Sequence, residues 1–219
     1  FPGTTNLFLL SESIFSSLIA ILKPSTETSL TTFEAESLYG GIMVDTKNFT
    51  FKTGVRTFEA AAYLRKLGVD IIRIKKWFQS DMEDYNKIAE VVRNSEMIKG
   101  TIAVSICNEV DKDINLICAK AADELLTIGE VTASFVLGKV GEKIAISGRS
   151  IGDINVQVIL EKLGGGGHIT LAGAQLDGMT LEEARQELII RINEYFSEIM
   201  TYIHKYITSN FSYKDGSTE

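Results

Sequence analysis

Four glycines in succession, Gly164 to Gly167, followed by His168, set the tightest limit on what this chain can fold into. Glycine loses more backbone freedom on ordering than any other residue, so such a run cannot continue a helix. It must end the apolar helix predicted before it. Retaining it inside an ordered domain calls for positive backbone angles or for a ligand lying directly on the main chain. No carboxylate occurs between Lys162 and Asp177, and exposed amides beside an imidazole suit a phosphate or a nucleotide base. A flexible glycine linker with an incidental histidine is the alternative; the apolar helix before the run and Leu171 after it argue against that.

The glycines sit in a chain of 219 residues, 45% hydrophobic, which is enough for one large domain or two small ones with a proper core. Net charge is −7, unevenly spread. Thr46 to Lys76 holds Lys47, Lys52, Arg56, Arg65, Lys66, Arg73, Lys75 and Lys76 against Glu59 and Asp70, a local +6 that leaves −13 elsewhere. This distribution argues against general coating of nucleic acid and permits a local anion site; a solvated basic helix face is the blander reading. The most apolar early stretch, Leu7 to Leu22, is interrupted by Glu12, and no uncharged run reaches the roughly 18–20 residues of a membrane span. A soluble chain without a signal peptide is expected. Cys107 and Cys118 can form neither a disulfide framework nor a thiolate zinc site, which makes a reducing, cytosolic setting the expectation.

Periodicity predicts an α/β chain in two parts, divided at about Arg93 to Lys99. In the first, a helix runs from about Thr32 into Gly41-Ile42-Met43-Val44, and another covers Thr57 to Leu67 with Gly68 as its left-handed cap. Val69 to Ile74 reads as a strand or extended connector. A Ser80/Glu83 capping box opens a helix through Tyr85, Ile88, Ala89 and Val92 that ends near Asn94. In the second part, Ile98 to Ile106 reads as a strand, and Asp111 or Asp113 caps a helix striped with Ile114, Ile117, Cys118, Ala121, Ala122 and Leu125. That stripe makes Cys118 a core residue. Val131–Leu137 and Lys143–Ser147 form a hairpin about Gly141, Asp153 caps a helix through Leu163, and a Thr180/Glu183 box opens a long helix with Ala184, Leu188, Ile192, Tyr195 and Ile199 on one face. Ser209 to Glu219 reads as a polar tail.

Two further motifs could carry chemistry. Ser147-Gly148-Arg149-Ser150 ends a predicted strand, and an arginine fork flanked by hydroxyls can grip phosphate, although an arginine there is ordinarily a surface residue. Asp45 leaves an uncharged segment and needs a partner, whether a helix end, a cation or a metal. Arg56 and Thr57 then open the next helix, where an N-terminus and a cation together favour an anion.

These residues carry a family resemblance. Gly41-Ile-Met-Val-Asp45-Thr-Lys-Asn-Phe49, continued by Thr53-Gly54-Val55-Arg56-Thr57-Phe58-Glu59-Ala60 and Leu64-Arg65, resembles the DHH phosphoesterase superfamily, and within it the GdpP-type cyclic di-AMP phosphodiesterases. Ser147 to Ser150, Asn155-Val156-Gln157 and the glycine-histidine segment resemble the DHH-associated substrate-binding domain of that family. The GGGH element alone is shared with RecJ-like nucleases, nanoRNases and alanyl-tRNA synthetase-related domains. The resemblance spans about Glu12 to Tyr195.

The fold it implies is an incomplete DHH lobe over residues 1–95, then a complete α/β DHH-associated domain with a mixed sheet over residues 96–208 and a tail over 209–219. The activity it implies is manganese-dependent hydrolysis of a cyclic dinucleotide to linear pApA at a two-metal centre. By this resemblance Asp45 is a catalytic, metal-binding aspartate. Gly165, Gly166, Gly167 and His168 line the nucleotide pocket, Ser147, Arg149 and Ser150 meet the second phosphate or base, and Arg56 contacts phosphate. The naming Asp-His-His motif and its companion acidic motifs do not occur here, where His168 and His204 are the only histidines. The chain is therefore expected to be the C-terminal part of the catalytic module. The intact protein would face the cytoplasm from a membrane anchor, act on a cyclic dinucleotide or short nucleotide rather than long nucleic acid, and could form a homodimer. A nanoRNase or phosphoadenosine phosphatase of the same superfamily, and a nucleotide-binding module without catalysis, are the rival readings.

Overall fold

The computed structural model describes residues 30–50, 53–108 and 113–211. The Leu7–Leu22 stretch, Lys52, Asp111 and the tail past Phe211 lie outside them. The chain divides into two compact units between Ser80 and Asp81, ahead of the Arg93–Lys99 boundary expected from the sequence.

The first unit holds α1 (Thr32–Asp45), α2 (Val55–Lys66) and α3 (Ile71–Trp77). Thr31 and Glu34 form a reciprocal capping box at the start of α1. Ala35, Tyr39 and Ile42 from α1 pack on Ala60, Ala61 and Leu64 from α2, with Val69 and Ile74 completing the core. Gly68, at φ +91°, ends α2 as its position predicts. The expected strand over Val69–Ile74 is instead largely the helix α3. Asp70 caps it, its carboxylate accepting from the Ile72 and Arg73 amides at 2.9 and 3.4 Å. Buried Glu36 accepts from the Asp70 amide and pairs with Arg73 at 3.4 Å. The β-branched run suits either element; the capping aspartate decides. Lys75 and Lys76 on α3 are exposed, as a solvated basic face requires.

The second unit is a mixed six-stranded sheet in the order β1-β2-β3-β4-β6-β5. Its strands are β1 (Glu96–Ile98), β2 (Ile102–Cys107), β3 (Ala133–Val140), β4 (Lys143–Ser150), β5 (Gly166–His168) and β6 (Leu171–Asp177). Its helices are α4 (Met82–Arg93), α5 (Ile114–Leu125), α6 (Val156–Glu161) and α7 (Leu181–Phe211). Among the described residues only β2 and β3 pair in parallel, and α5 supplies the crossover such a pair needs. Alternation along the strands sorts the core onto two faces. Ala103, Cys107 and Val136 meet α4 and α5, while Val104, Phe135, Leu137, Ile144 and Ile146 meet α6 and α7.

Several local expectations shift. Asp81, not Ser80, caps α4 by accepting from the Asp84 amide at 2.8 Å, and Tyr85 and Ala89 face solvent while Ile88 and Val91 are buried. The expected strand over Ile98–Ile106 is two strands, because Lys99 and Gly100 take φ +54° and +81° and fold Ile98 back on Ile102. Asn155, not Asp153, caps α6 by accepting from the Val158 amide at 3.2 Å. The Thr180/Glu183 box forms, and Ala184, Leu188, Ile192 and Tyr195 are buried as predicted, whereas Ile199 is exposed. Among the described residues no helix is long and apolar enough to cross a membrane.

Candidate functional site

Residues opposite each other on neighbouring strands share a face of the sheet. Arg149 on β4 lies opposite Leu171 on β6, which lies opposite His168 on β5. One row along, Ser147 lies opposite Gly173 and Gly173 opposite Gly166. Two spacings of the ladder put the Arg149 and His168 backbones about 10 Å apart. This is the face on which α4 and α5 pack, α4 against β2 and α5 against β3 and β4. On the β6–β5 side Leu171, Gly173, Gln175, Gly166 and His168 are exposed. The result is an uncovered half-face whose middle strand has bare backbone at Gly173.

The glycines of the run differ in what they are for. Gly164 takes φ +74°, directly after α6. A Cβ on Gly165 would sit 2.3 Å from the Gly173 carbonyl oxygen, and one on Gly167, at φ +149°, would sit 2.4 Å from that of Leu171. These three are required by the turn and by close approach to β6. Gly166 is not: its φ is not in the left-handed region and nothing lies within 4 Å of its missing Cβ. The fold has room for a side chain there, on the uncovered half-face.

Arg149 forms the floor of this surface and is only 8% exposed. Its Nη1 donates to the Gly148 carbonyl at 2.9 Å, and its Nε stands 3.2 Å from Oδ1 of Asp123 on α5, an ion pair out of line for a hydrogen bond from Nε. Ser150 points through to the opposite face, is fully buried, and accepts from the Gly152 amide at 2.8 Å. Ser147, half-buried, shares the face of Arg149. The sequence reading grouped Ser147, Arg149 and Ser150 together, and the strand period separates the last.

Asp45 and Arg56 belong to the first unit. Asp45 ends α1 and is half-buried. Lys47, Asn48 and Phe49 follow with φ of +45°, +56° and +64°. Three left-handed non-glycine residues in a row cost roughly 1–2 kcal/mol each. Backbone bonds from Asn48 to Met43 (2.7 Å) and Thr50 to Thr46 (2.9 Å) hold the turn, as does the Thr46 hydroxyl, which donates to the Ile42 carbonyl and accepts from the Phe49 amide. The Phe49 ring stacks on Phe58 at 5.6 Å and meets Tyr39 edge-on at 6.0 Å. Arg56 is exposed in the first turn of α2, whose N-cap Gly54 provides no side-chain bond. Among the described residues no three His, Cys, Asp or Glu side chains could together hold a metal ion. The described residues therefore do not make a two-metal centre. Cys118 is core, as its stripe predicts: a hydrogen bond with Cys107 and burial push its thiol far up, away from nucleophilic chemistry.

Sequence reasoning missed Asp123 and the part played by Leu171. The only mark of Asp123 is its place one residue past the buried Ala121-Ala122 pair, which many surface acids share.

Residues 99–198 match the DHHA1 domain. The chain is 45% identical over 168 residues to the cyclic-di-AMP phosphodiesterase GdpP of Geobacillus thermodenitrificans, covering 76% of this chain and 26% of that protein. It is 44% identical over 164 residues to the cyclic-di-AMP phosphodiesterase PdeA of Listeria monocytogenes, covering 74% and 25%. It thus spans about a quarter of the length of these curated relatives. Among solved structures, an exopolyphosphatase-related protein from Bacteroides fragilis superposes with a TM-score of 0.68 at 24% identity, over 75% of this chain and 51% of that one. That likeness concerns the fold.

Proposed function

We propose that the chain, whose residues 99–198 match the DHHA1 domain, belongs to the DHH family and that its second unit binds the substrate of a cyclic di-AMP phosphodiesterase. The observation that carries this is Gly166. It is a glycine that the fold does not need, set on an uncovered half-face with a buried arginine at one side and a histidine at the other. Bare backbone at Gly166 and Gly173 lets a planar base lie against the sheet. Arg149 and the Ser147 hydroxyl offer donors to a phosphate, and the His168 ring can donate to a second phosphate or to a base edge. Ser150, Gly165 and Gly167 support this surface from beneath, the first by holding the Gly152 amide and the glycines by letting β5 lie close on β6.

The reaction proposed for the longer protein is attack of water on one phosphorus of the ring and cleavage of one P–O ester bond, giving linear pApA. Manganese would serve it in a centre to which Asp45 gives one carboxylate, with Arg56 a candidate phosphate contact beside it in sequence. Titration of this chain with cyclic di-AMP and with pApA tests the binding step. Dissociation constants on the order of micromolar, lost in His168→Ala, are expected; absence of heat with both nucleotides would overturn the proposal.

A further inference from the structure

We propose that Asp123 is a positioning residue that holds Arg149 ready for phosphate. The inference rests on the nucleotide-binding role proposed above and adds the device that orients its arginine.

Arg149 is at once nearly buried and long, so its guanidinium needs a fixed partner to stay beneath the surface as a cation. Two contacts fix it: the Gly148 carbonyl at Nη1, 2.9 Å away, and Asp123 Oδ1, 3.2 Å from Nε. The first is a hydrogen bond and the second an ion pair; acting at two different nitrogens they hold the guanidinium in place, so that ordering it is completed in folding rather than on ligand arrival. The placement of Asp123 is itself built in. Ser134 on β3 lies opposite Arg149 in the ladder, and its buried hydroxyl donates to the Ala122 carbonyl at 2.6 Å. The residue next to Asp123 is thereby tied to the strand beside Arg149.

An opposing effect has the opposite sign. The Asp123 carboxylate is an anion near the expected phosphate, and repulsion alone would make its removal strengthen nucleotide binding. Its side chain is 41% exposed and that of Arg149 is 10% exposed. Water therefore screens the repulsion, while nothing in solvent replaces the orienting contact on the buried fork. Orientation should win.

The test uses the whole chain as wild type, Asp123→Asn, Arg149→Ala and the double variant. Cyclic di-AMP titrations are combined with 15N NMR of the Arg149 Nε–H and with thermal melts. Asp123→Asn is expected to weaken binding about tenfold. The double variant should bind no more weakly than Arg149→Ala, since Asp123 acts only through that arginine. The Arg149 Nε–H, held rigid beside the carboxylate in the wild type, should become more mobile in Asp123→Asn at an unchanged fold, read as a lower 15N heteronuclear NOE. Equal or tighter binding by Asp123→Asn, or an unaltered Nε–H signal, would overturn the inference. If the wild type itself binds no nucleotide, the proposed function falls, and the Nε–H comparison still decides whether Asp123 orients Arg149.

Discussion

Gly165, Gly166 and Gly167 are neighbours of one residue type under different constraints, and substitution should separate them. Alanine at 165 or 167 would drive a methyl into the backbone of β6, within 2.3 and 2.4 Å of carbonyl oxygens; a loss of about 1–3 kcal/mol or more is expected in denaturant unfolding. Gly166→Ala should leave stability within about 1 kcal/mol, since its Cβ meets nothing, yet it should weaken cyclic di-AMP binding because the methyl stands where the base is proposed to lie. Equal stability loss at all three positions would contradict this division. The same scale shows what a sequence can reveal. Spacing alone marks Cys118 as core, and its place on the buried face of α5 beside Cys107 agrees with that. The hydrogen bond with Cys107 and burial raise its thiol, so thiolate stays scarce at neutral pH. Iodoacetamide at pH 8 should leave Cys118 unlabelled in native protein and label it in denaturant, as mass spectrometry would read. By contrast, period-two alternation puts Arg149 and Ser150 on opposite faces, and a motif read as consecutive letters hides that.

Helix ends were legible where a capping box stood at the right spacing, as at Thr180 and Glu183. The Thr180 backbone amide and hydroxyl donate to the Glu183 carboxylate and hold it below the usual glutamate range. A carboxyl depressed in the folded state stabilises above its unfolded value and loses that contribution as pH falls through the folded one. Melts of wild type and Glu183→Gln should therefore differ near neutrality and converge below the ordinary glutamate value of about 4.3. A gap that persists at the acid end would contradict the cap's role. Thr180→Ala should cost about 1 kcal/mol by removing the reciprocal bond. Helix α3 was not legible because its β-branched start suits a strand equally well, and what settles it is Asp70 together with buried Glu36, a contact 34 residues away in sequence. The split between β1 and β2 turned on Lys99, a non-glycine residue in the left-handed region, which composition does not announce.

At the scale of the whole molecule, the α/β class and the mixed sheet followed from periodicity and from family resemblance. The uncovered half-face did not. It exists because β6 inserts between β4 and β5 and because α4 and α5 together reach only over β2, β3 and β4, and both are facts of non-local packing. That topology joins Arg149 to His168 through Leu171, whereas Asp45 and Arg56 lie in the other compact unit. The claim that nucleotide phosphate and base are held on this half-face is tested most directly by a 1H–15N NMR titration of the chain with cyclic di-AMP. Saturable shifts should concentrate at the amides of Gly166, Gly167, His168, Leu171 and Gly173 and at Arg149, and leave those of β2 under α4 unmoved. Saturation with shifts elsewhere, or no shifts at all, would contradict it.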